Sequence, residues 1–139
     1  MNESPVILRF AKSYLVDGTV PAEQYSIVEK ESLEKVGAIR FRLSNKDDIL
    51  LYAGHIGYNV DQAHRGKRYA AHACLALKAI ALQNGFIELI ITCDPDNWPS
   101  RRTCEYIGAE LIDIIDLPPD NDMYRDGERR KCRYQWRIG

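Results

Sequence analysis

The chain has 139 residues, 45% of them hydrophobic and 28% charged, with nine glycines and six prolines. That is enough for one folded domain over residues 1–139, too short for two, and outside the composition of disordered or fibrous chains. Nineteen Lys and Arg against 20 Asp and Glu leave a formal net charge of -1, so no overall field draws nucleic acid or an anionic membrane, and any polyanion site is local.

The first half reads as strands: Val6 to Tyr14, then Val36 to Leu43, where Gly37, Ile39, Phe41 and Leu43 alternate with Arg40 and Arg42, then Ile49 to Val60. Three linker-like stretches, Asp17 to Glu23, Asn45 to Asp48 and Pro118 to Glu128, lie within the one domain, and Asn45 to Asp48 has the residues of a hairpin turn. Within Ile49 to Val60 the apolar Leu50, Tyr52, Ile56, Tyr58 and Val60 take one face, which puts His55 and Asn59 together on the other. From Gly66 to Asn84 the period changes. Ala70, Ala73, Cys74, Leu77, Ile80 and Ala81 recur at three and four, and Gly85 supplies a C-terminal stop, which predicts a long helix. An isoleucine-rich strand, Phe86 to Cys93, precedes a short helix over Trp98 to Ile107 with Asn97 as cap, Pro99 in its first turn and Gly108 after its end. Two strands finish the chain, Ala109 to Leu117 and Lys131 to Ile138. The order β-β-β-α-β-α-β-β implies an α/β (α+β) domain, a mixed sheet with two main helices packed on it.

Cys74, Cys93, Cys104 and Cys132 show no CxxC spacing, and the opening Met-Asn-Glu-Ser is not a basic and apolar leader, so reduced thiols and a cytoplasmic location are expected. The stretch Ala70 to Leu82 is broken by His72 and Lys78, and Phe86 to Thr92 is too short to cross a bilayer. His55, His64 and His72 lack metal-ligand spacing, so no metal is expected.

The chemistry concentrates where the third strand hands over to the long helix, at Val60 to Ala70. A strand ending in a basic, glycine-bearing turn that opens into a helix presents free backbone N–H groups and the positive end of the helix dipole, an anion site suited to a pyrophosphate. Lys67, Arg68 and His64 stand ready to add charge-assisted contacts. The same pattern also describes a basic helix start with no ligand. Neither GxxxxGK[ST] nor GxGxxG is present.

At these residues the chain resembles the GNAT superfamily of acyl-CoA N-acyltransferases, in particular its ribosomal-protein N-terminal acetyltransferase-like branch. The family's phosphate loop, Arg or Gln, two residues, Gly, one residue, then Gly or Ala, corresponds to Arg65-Gly66-Lys67-Arg68-Tyr69-Ala70. Gly54 to Val60 resembles its substrate-side strand, and Asn97 to Ser100 with Tyr106 to Ala109 resembles its Asn-x-x-Ser and helix-ending Gly. The resemblance covers roughly Val36 to the C-terminus. It implies a mostly antiparallel sheet splayed between Tyr58 to Val60 and Ile90 to Cys93, acetyl-CoA in the splay, and backbone N–H groups of Tyr58, Asn59 and Val60 at the thioester carbonyl. Asn97 and Ser100 join Arg65 to Ala70 as implied cofactor-binding residues. The implied activity is acetyl transfer from acetyl-CoA to a primary amine, on a small molecule or a protein N-terminus, through a ternary complex.

Three departures matter. Arg68 stands where the family has Gly, and an ordinary φ is expected there. Asp17 to Lys35 replaces two helices that wall the acceptor site, with one turn at most over Glu29 to Glu34, so the acceptor side is expected to be open or completed by a partner chain, such as a second copy in a homodimer. Cys104 occupies the position of a Tyr proposed to protonate the CoA thiolate, and is a candidate donor or a core residue. His55 takes the place of a frequent Glu and is a candidate general base, against the alternatives of a hydrogen-bonded core histidine or a water chain. Asn59 is a candidate for positioning substrate or water. Two other classes stay open: a non-catalytic acyl-CoA-binding or regulatory module, and an RNA-binding domain using the basic tail Arg125, Arg129, Arg130, Lys131, Arg133 and Arg137.

Overall fold

The computed structural model describes residues 3–139; Met1 and Asn2, the start of the opening read above as not a leader, lie outside the described residues. Strands β1 (Val6–Val16) and β2 (Val20–Glu29) form an antiparallel hairpin. Asp17 and Gly18 take φ of 50° and 70°, and Thr19 N–H donates to the Val16 carbonyl at 3.0 Å. Two successive left-handed residues match the twist of the flanking strands, and Asp-Gly is the pair that adopts them most readily. The linker expected at Asp17 to Glu23 is therefore corrected, because Val20–Glu29 is an inner strand, whereas the single turn expected over Glu29 to Glu34 is present, closed by the Leu33 N–H to the Glu29 carbonyl at 2.8 Å. Glu23 and Gln24 interrupt the apolar run of β2 and hide the period of two.

Next come β3 (Lys35–Arg42) and β4 (Ile56–Val60), which complete a four-stranded antiparallel sheet in the order β1-β2-β3-β4. The single strand expected over Ile49 to Val60 is also corrected. Ile49–Ala53 is a wide helical turn closed by Gly54 N–H to the Ile49 carbonyl at 2.7 Å, and Gly54 has φ 75°. A Cβ at Gly54 would lie 2.9 Å from the Ile90 carbonyl oxygen, so glycine is required by both its conformation and its neighbour.

Helix α1 (Tyr69–Gln83) is shorter at its start than the Gly66 to Asn84 expected, because residues 65–68 stay outside the helix. Strand β5 (Glu88–Cys93), helix α2 (Trp98–Tyr106), strand β6 (Glu110–Asp116), the four-residue helix α3 (Asp122–Arg125) and strand β7 (Arg130–Arg137) follow. The last three strands form a second antiparallel sheet in the order β5-β7-β6. Asn97 caps α2 by accepting the Ser100 N–H at 3.2 Å. The core joins Ile39, Phe41 and Ile56 of the first sheet, Ala73, Cys74 and Leu77 of α1, and Ile91, Tyr134 and Trp136 of the second sheet. This is the mixed α/β architecture with antiparallel sheets that the sequence implied.

Beyond the shared core, backbone hydrogen bonding brings the two sheets together at one point among the described residues. His55 donates its backbone N–H to the Ile90 carbonyl at 2.7 Å, and the Ile90 N–H donates to Nδ1 of His55 at 2.8 Å. No ladder joins β4 to β5 beyond that point. The strands splay, and the far edge of β4 is left without a backbone partner.

Candidate active site

An open cleft of about 1250 Å³ occupies the splay, lined by Gly57 to Val60 on β4, by His64 to Gly66 and Arg68 to Ala71 at the start of α1, and by Thr92 to Asp94, Asn97 and Ser100 opposite. The turn feeding α1 is built from a single turn over Gln62–His64, Arg65 with its Nε donating to the Val60 carbonyl at 3.0 Å, and Gly66 at φ 87°. A Cβ at Gly66 would meet nothing within 4 Å, so this backbone faces open space.

Arg68 has φ 60° and ψ 27°, which corrects the ordinary φ expected there. The left-handed conformation is the physical reason a glycine suits this position, and a non-glycine residue holds it at a cost of about 1–2 kcal/mol. No side chain caps α1 at Arg68. The first-turn N–H groups of Tyr69 to Ala71 are thus open to an anion at the positive end of a fifteen-residue helix. The Arg68 guanidinium lies over the Tyr106 ring, 4.7 Å from its centroid. Lys67 is not part of the cleft wall; its Nζ sits 5.7 Å from the Tyr69 ring centroid.

The Tyr69 hydroxyl fastens this turn to the sheet by donating to Glu29 Oε2 at 2.5 Å, while Ser32 Oγ donates to Glu29 Oε1 at 2.7 Å. Those two hydrogen bonds, Tyr69's first, hold the Glu29 carboxyl below its usual range, and the carboxylate in turn pushes the Tyr69 hydroxyl up to about 12. Nδ1 of His64 is buried without a partner beside the turn.

Across the cleft, Tyr58 on β4 reaches Ser100 on α2, with 2.6 Å between the two hydroxyl oxygens. Burial raises the Tyr58 pKa well above that of a free phenol, so the group stays protonated and able to donate. The pair ties one arm of the splay to the other, next to the unpaired β4 edge.

His55 and Asn59 do not share a face of the site. His55 is 1% exposed, its Nε2 hydrogen-bonds Asn45 Oδ1 at 2.9 Å, and its Nδ1 accepts from Ile90. Both nitrogens are taken, which fixes the neutral ring with its proton on Nε2. Burial, assisted by the nearby Arg42 charge, lowers its pKa to about 4. Asn59 is exposed, with Oδ1 accepting from both terminal nitrogens of Arg40 at 3.2 Å. His55 precedes the start of β4 at Ile56, so it lies outside the regular strand whose alternation the shared face assumed. Cys104 is 0% exposed in the core and outside the cleft wall, and burial pushes its thiol far up, so its environment is that of a packing residue. All four cysteines are free and buried.

Sequence reasoning missed Arg42. It lines the cleft, on the face of β3 opposite Phe41, and Nη1 donates to the carbonyls of Ala53 and Gly54 at 3.3 and 3.1 Å. Alternation marked it only as an outward residue. The usable signal was the register, because its strand neighbour Ala22 offers no acid and Arg40 stands opposite Gly57. Half of the basic tail is ion-paired: Arg125 with Asp122 at 2.7 Å, Lys131 with Glu128 at 2.7 Å and Arg133 with Asp113 at 2.8 Å, whereas Arg129, Arg130 and Arg137 are in no ion pair among the described residues. Among the described residues, no helix is long and apolar enough to cross a membrane, and no group of three or more His, Cys, Asp or Glu is placed to hold a metal ion.

A helix start opening into a splay between two antiparallel sheets, with an unpaired strand edge along one wall, defines a domain of the acyl-CoA-dependent acetyltransferase class. The chain belongs to the GNAT acetyltransferases: the family described as acetyltransferase (GNAT) domain matches residues 7–110. No curated protein sequence matches it. Among solved structures it is similar to a GNAT-family acetyltransferase from Bacillus anthracis (TM-score 0.64, 23% identity, 83% of this chain and 66% of that one). It is also similar to the acetyltransferase that modifies the N-terminal serine of a 50S ribosomal subunit protein in Salmonella typhimurium (TM-score 0.65, 20% identity, 85% and 64%). A third is the microcin C7 self-immunity acetyltransferase, solved with acetyl-CoA and AMP (TM-score 0.65, 19% identity, 84% and 61%). The chain spans less than two-thirds of the length of each of these three.

Proposed function

We propose that the protein transfers the acetyl group of acetyl-CoA to a primary amine, on a small molecule or a protein N-terminus, within a ternary complex. The observation that carries this reading is the uncapped start of α1, with Gly66 and left-handed Arg68 exposing backbone N–H groups, directly beside the unpaired β4 edge. The pyrophosphate of acetyl-CoA sits on the amides of Arg65 to Ala70, and the pantetheine arm runs into the splay, with Asn97 and Ser100 on its other wall. The amine nitrogen attacks the thioester carbon, backbone N–H groups of Tyr58 and Val60, on the side of β4 away from β3, stabilise the developing oxyanion, and the C–S bond then breaks. The nitrogen loses its proton to water, since the buried His55 has no free ring nitrogen. The departing thiolate receives a proton along the Tyr58–Ser100 hydroxyl pair, and the proton that the amine released to water returns to that pair, so neither hydroxyl is left ionised. The four free cysteines support a reducing, cytoplasmic setting.

The test combines thermal shift with acetyl-CoA and thiol release with a panel of amines and peptide N-termini. Acetyl-CoA at a hundred- to thousandfold excess over Kd should stabilise the fold by about 2.7 to 4.1 kcal/mol. No shift with acetyl-CoA would overturn the proposal.

A further inference from the structure

The cleft has a second wall that the acetyl-CoA site does not use. Ile39, Phe41 and Ile56 face α1 in the core, so Arg40, Arg42 and Asn59 stand on the opposite face of the same strands, where neither α1 nor α2 packs. On the acetyltransferase reading above, acetyl-CoA lies against the start of α1, which leaves this face of the cleft to the amine.

That face carries positive charge without a balancing acid. Neither Arg40 nor Arg42 is in an ion pair among the described residues, and their pairing partners on the neighbouring strands are Gln24, Ala22 and Gly57. Arg42 spends Nη1 on two backbone carbonyls, while Nε and Nη2 make no hydrogen bond among the described residues. Its guanidinium lies against Gly57, where a Cβ would stand 3.2 Å from Nη2, so the absence of a side chain at Gly57 gives it room beside β4. Arg40 donates both terminal nitrogens to Asn59 Oδ1, and this turns the amide so that its NH₂ has no partner among the described residues. Two unsatisfied donor groups, Arg42 and the Asn59 amide, therefore line one cleft beside the expected thioester. The nearby acid Glu128, which lines the same cleft, is taken by Lys131; Asp94 accepts the Asp96 N–H, and Glu105 lies on α2.

Half-buried guanidinium groups left without a counter-ion are a site for an anion, and a planar fork suits a carboxylate or phosphate. We infer that Arg42 and Asn59 select acceptor amines that carry a carboxylate or phosphate close to the nucleophilic nitrogen. This rests on the acetyltransferase reading above and adds the substrate class.

The experiment uses matched acceptors that differ only in charge: the peptide amides Ser-Asp-Ala and Ser-Asn-Ala, then β-alanine with its amide, and aminoethyl phosphate with ethanolamine. Binding of each to the CoA-saturated protein is measured by calorimetry, and thiol release from acetyl-CoA is followed in parallel. The anionic member of at least one pair should bind about tenfold more tightly or better, and which pair shows it tells a peptide acceptor from a small molecule. Arg42→Gln should collapse that ratio toward one, and Arg42→Lys should restore part of it. Should Arg42→Gln fail to fold, Asn59→Asp at its exposed position sets a carboxylate beside Arg40 on the same face and should invert the preference. Equal binding within every pair, no binding at all, or a preference that survives both variants overturns the inference. Charge-selective binding without thiol release would keep this site and remove the acetyltransferase reading, whereas release without charge preference would do the reverse.

Discussion

His55 and Ile90 exchange two hydrogen bonds, one through the peptide of His55 and one through its ring, at 2.7 and 2.8 Å. The imidazole Nδ1 accepts where the next carbonyl of a ladder would, so pairing between β4 and β5 ends after one residue and the splay begins. His55→Ala leaves the buried Ile90 N–H unpaired and opens a cavity against Phe86, 5.3 Å away between ring centroids. It should cost about 2–4 kcal/mol, read as a lower denaturant midpoint.

The same residue makes stability depend on acid. Its folded pKa of about 4 lies below the 6.5 of an unperturbed histidine, so the unfolded state binds the proton first and stability falls as pH drops from 6.5 toward 4. The difference amounts to about 3 kcal/mol. Titrating unfolding free energy for the wild type and His55→Gln should show this component only in the wild type, and the pH profile of turnover should carry no histidine-like limb from His55.

At Gly66 a side chain would point into open space at φ 87°. Gly66→Ala should therefore lower stability by only about 1 kcal/mol while placing a methyl group where the pyrophosphate approaches. Acetyl-CoA affinity should fall about tenfold or more. An unchanged affinity would move the anion site elsewhere.

Arg68 offers the reverse case. Arg68→Gly relieves the left-handed backbone and gives up the stack on Tyr106, effects of about 1 kcal/mol each and opposite sign. The melting temperature should stay near that of the wild type, whereas Arg68→Ala, which keeps the strain and loses the stack, should melt lower.

Cys104 and Tyr58 separate the two candidates for the thiolate proton. Cys104→Ala should keep turnover, and Cys104→Ser should be the less stable of the two because it buries a hydroxyl in an apolar core. Tyr58→Phe should lower kcat about tenfold to a hundredfold with acetyl-CoA affinity little changed. If Cys104→Ala loses that activity and Tyr58→Phe does not, the assignment reverses.

The phosphate turn was legible in the sequence because it depends on local features, a strand, a glycine and a three-four period starting at one place. The left-handed backbone at Arg68 was not, since an arginine gives no sign of a conformation imposed by the turn around it. His55 was misplaced for a related reason: counting by twos assumes one regular strand, and His55 precedes the start of β4 at Ile56. The β1–β2 hairpin did carry a signal, Asp17-Gly18 between Val16 and Val20, but Glu23 and Gln24 disguised the strand that follows. Arg42 shows its role only once the register reveals that no acid lies beside it.

At Asp17-Gly18 the chain reverses direction within a tight turn and hugs its own sheet. No helical arch rises between β1 and β2, so this end of the molecule is a flat hairpin. On the acetyltransferase reading proposed above, the end of a folded macromolecule presented at that edge would need no threading, and product would leave without waiting for a segment there to swing aside.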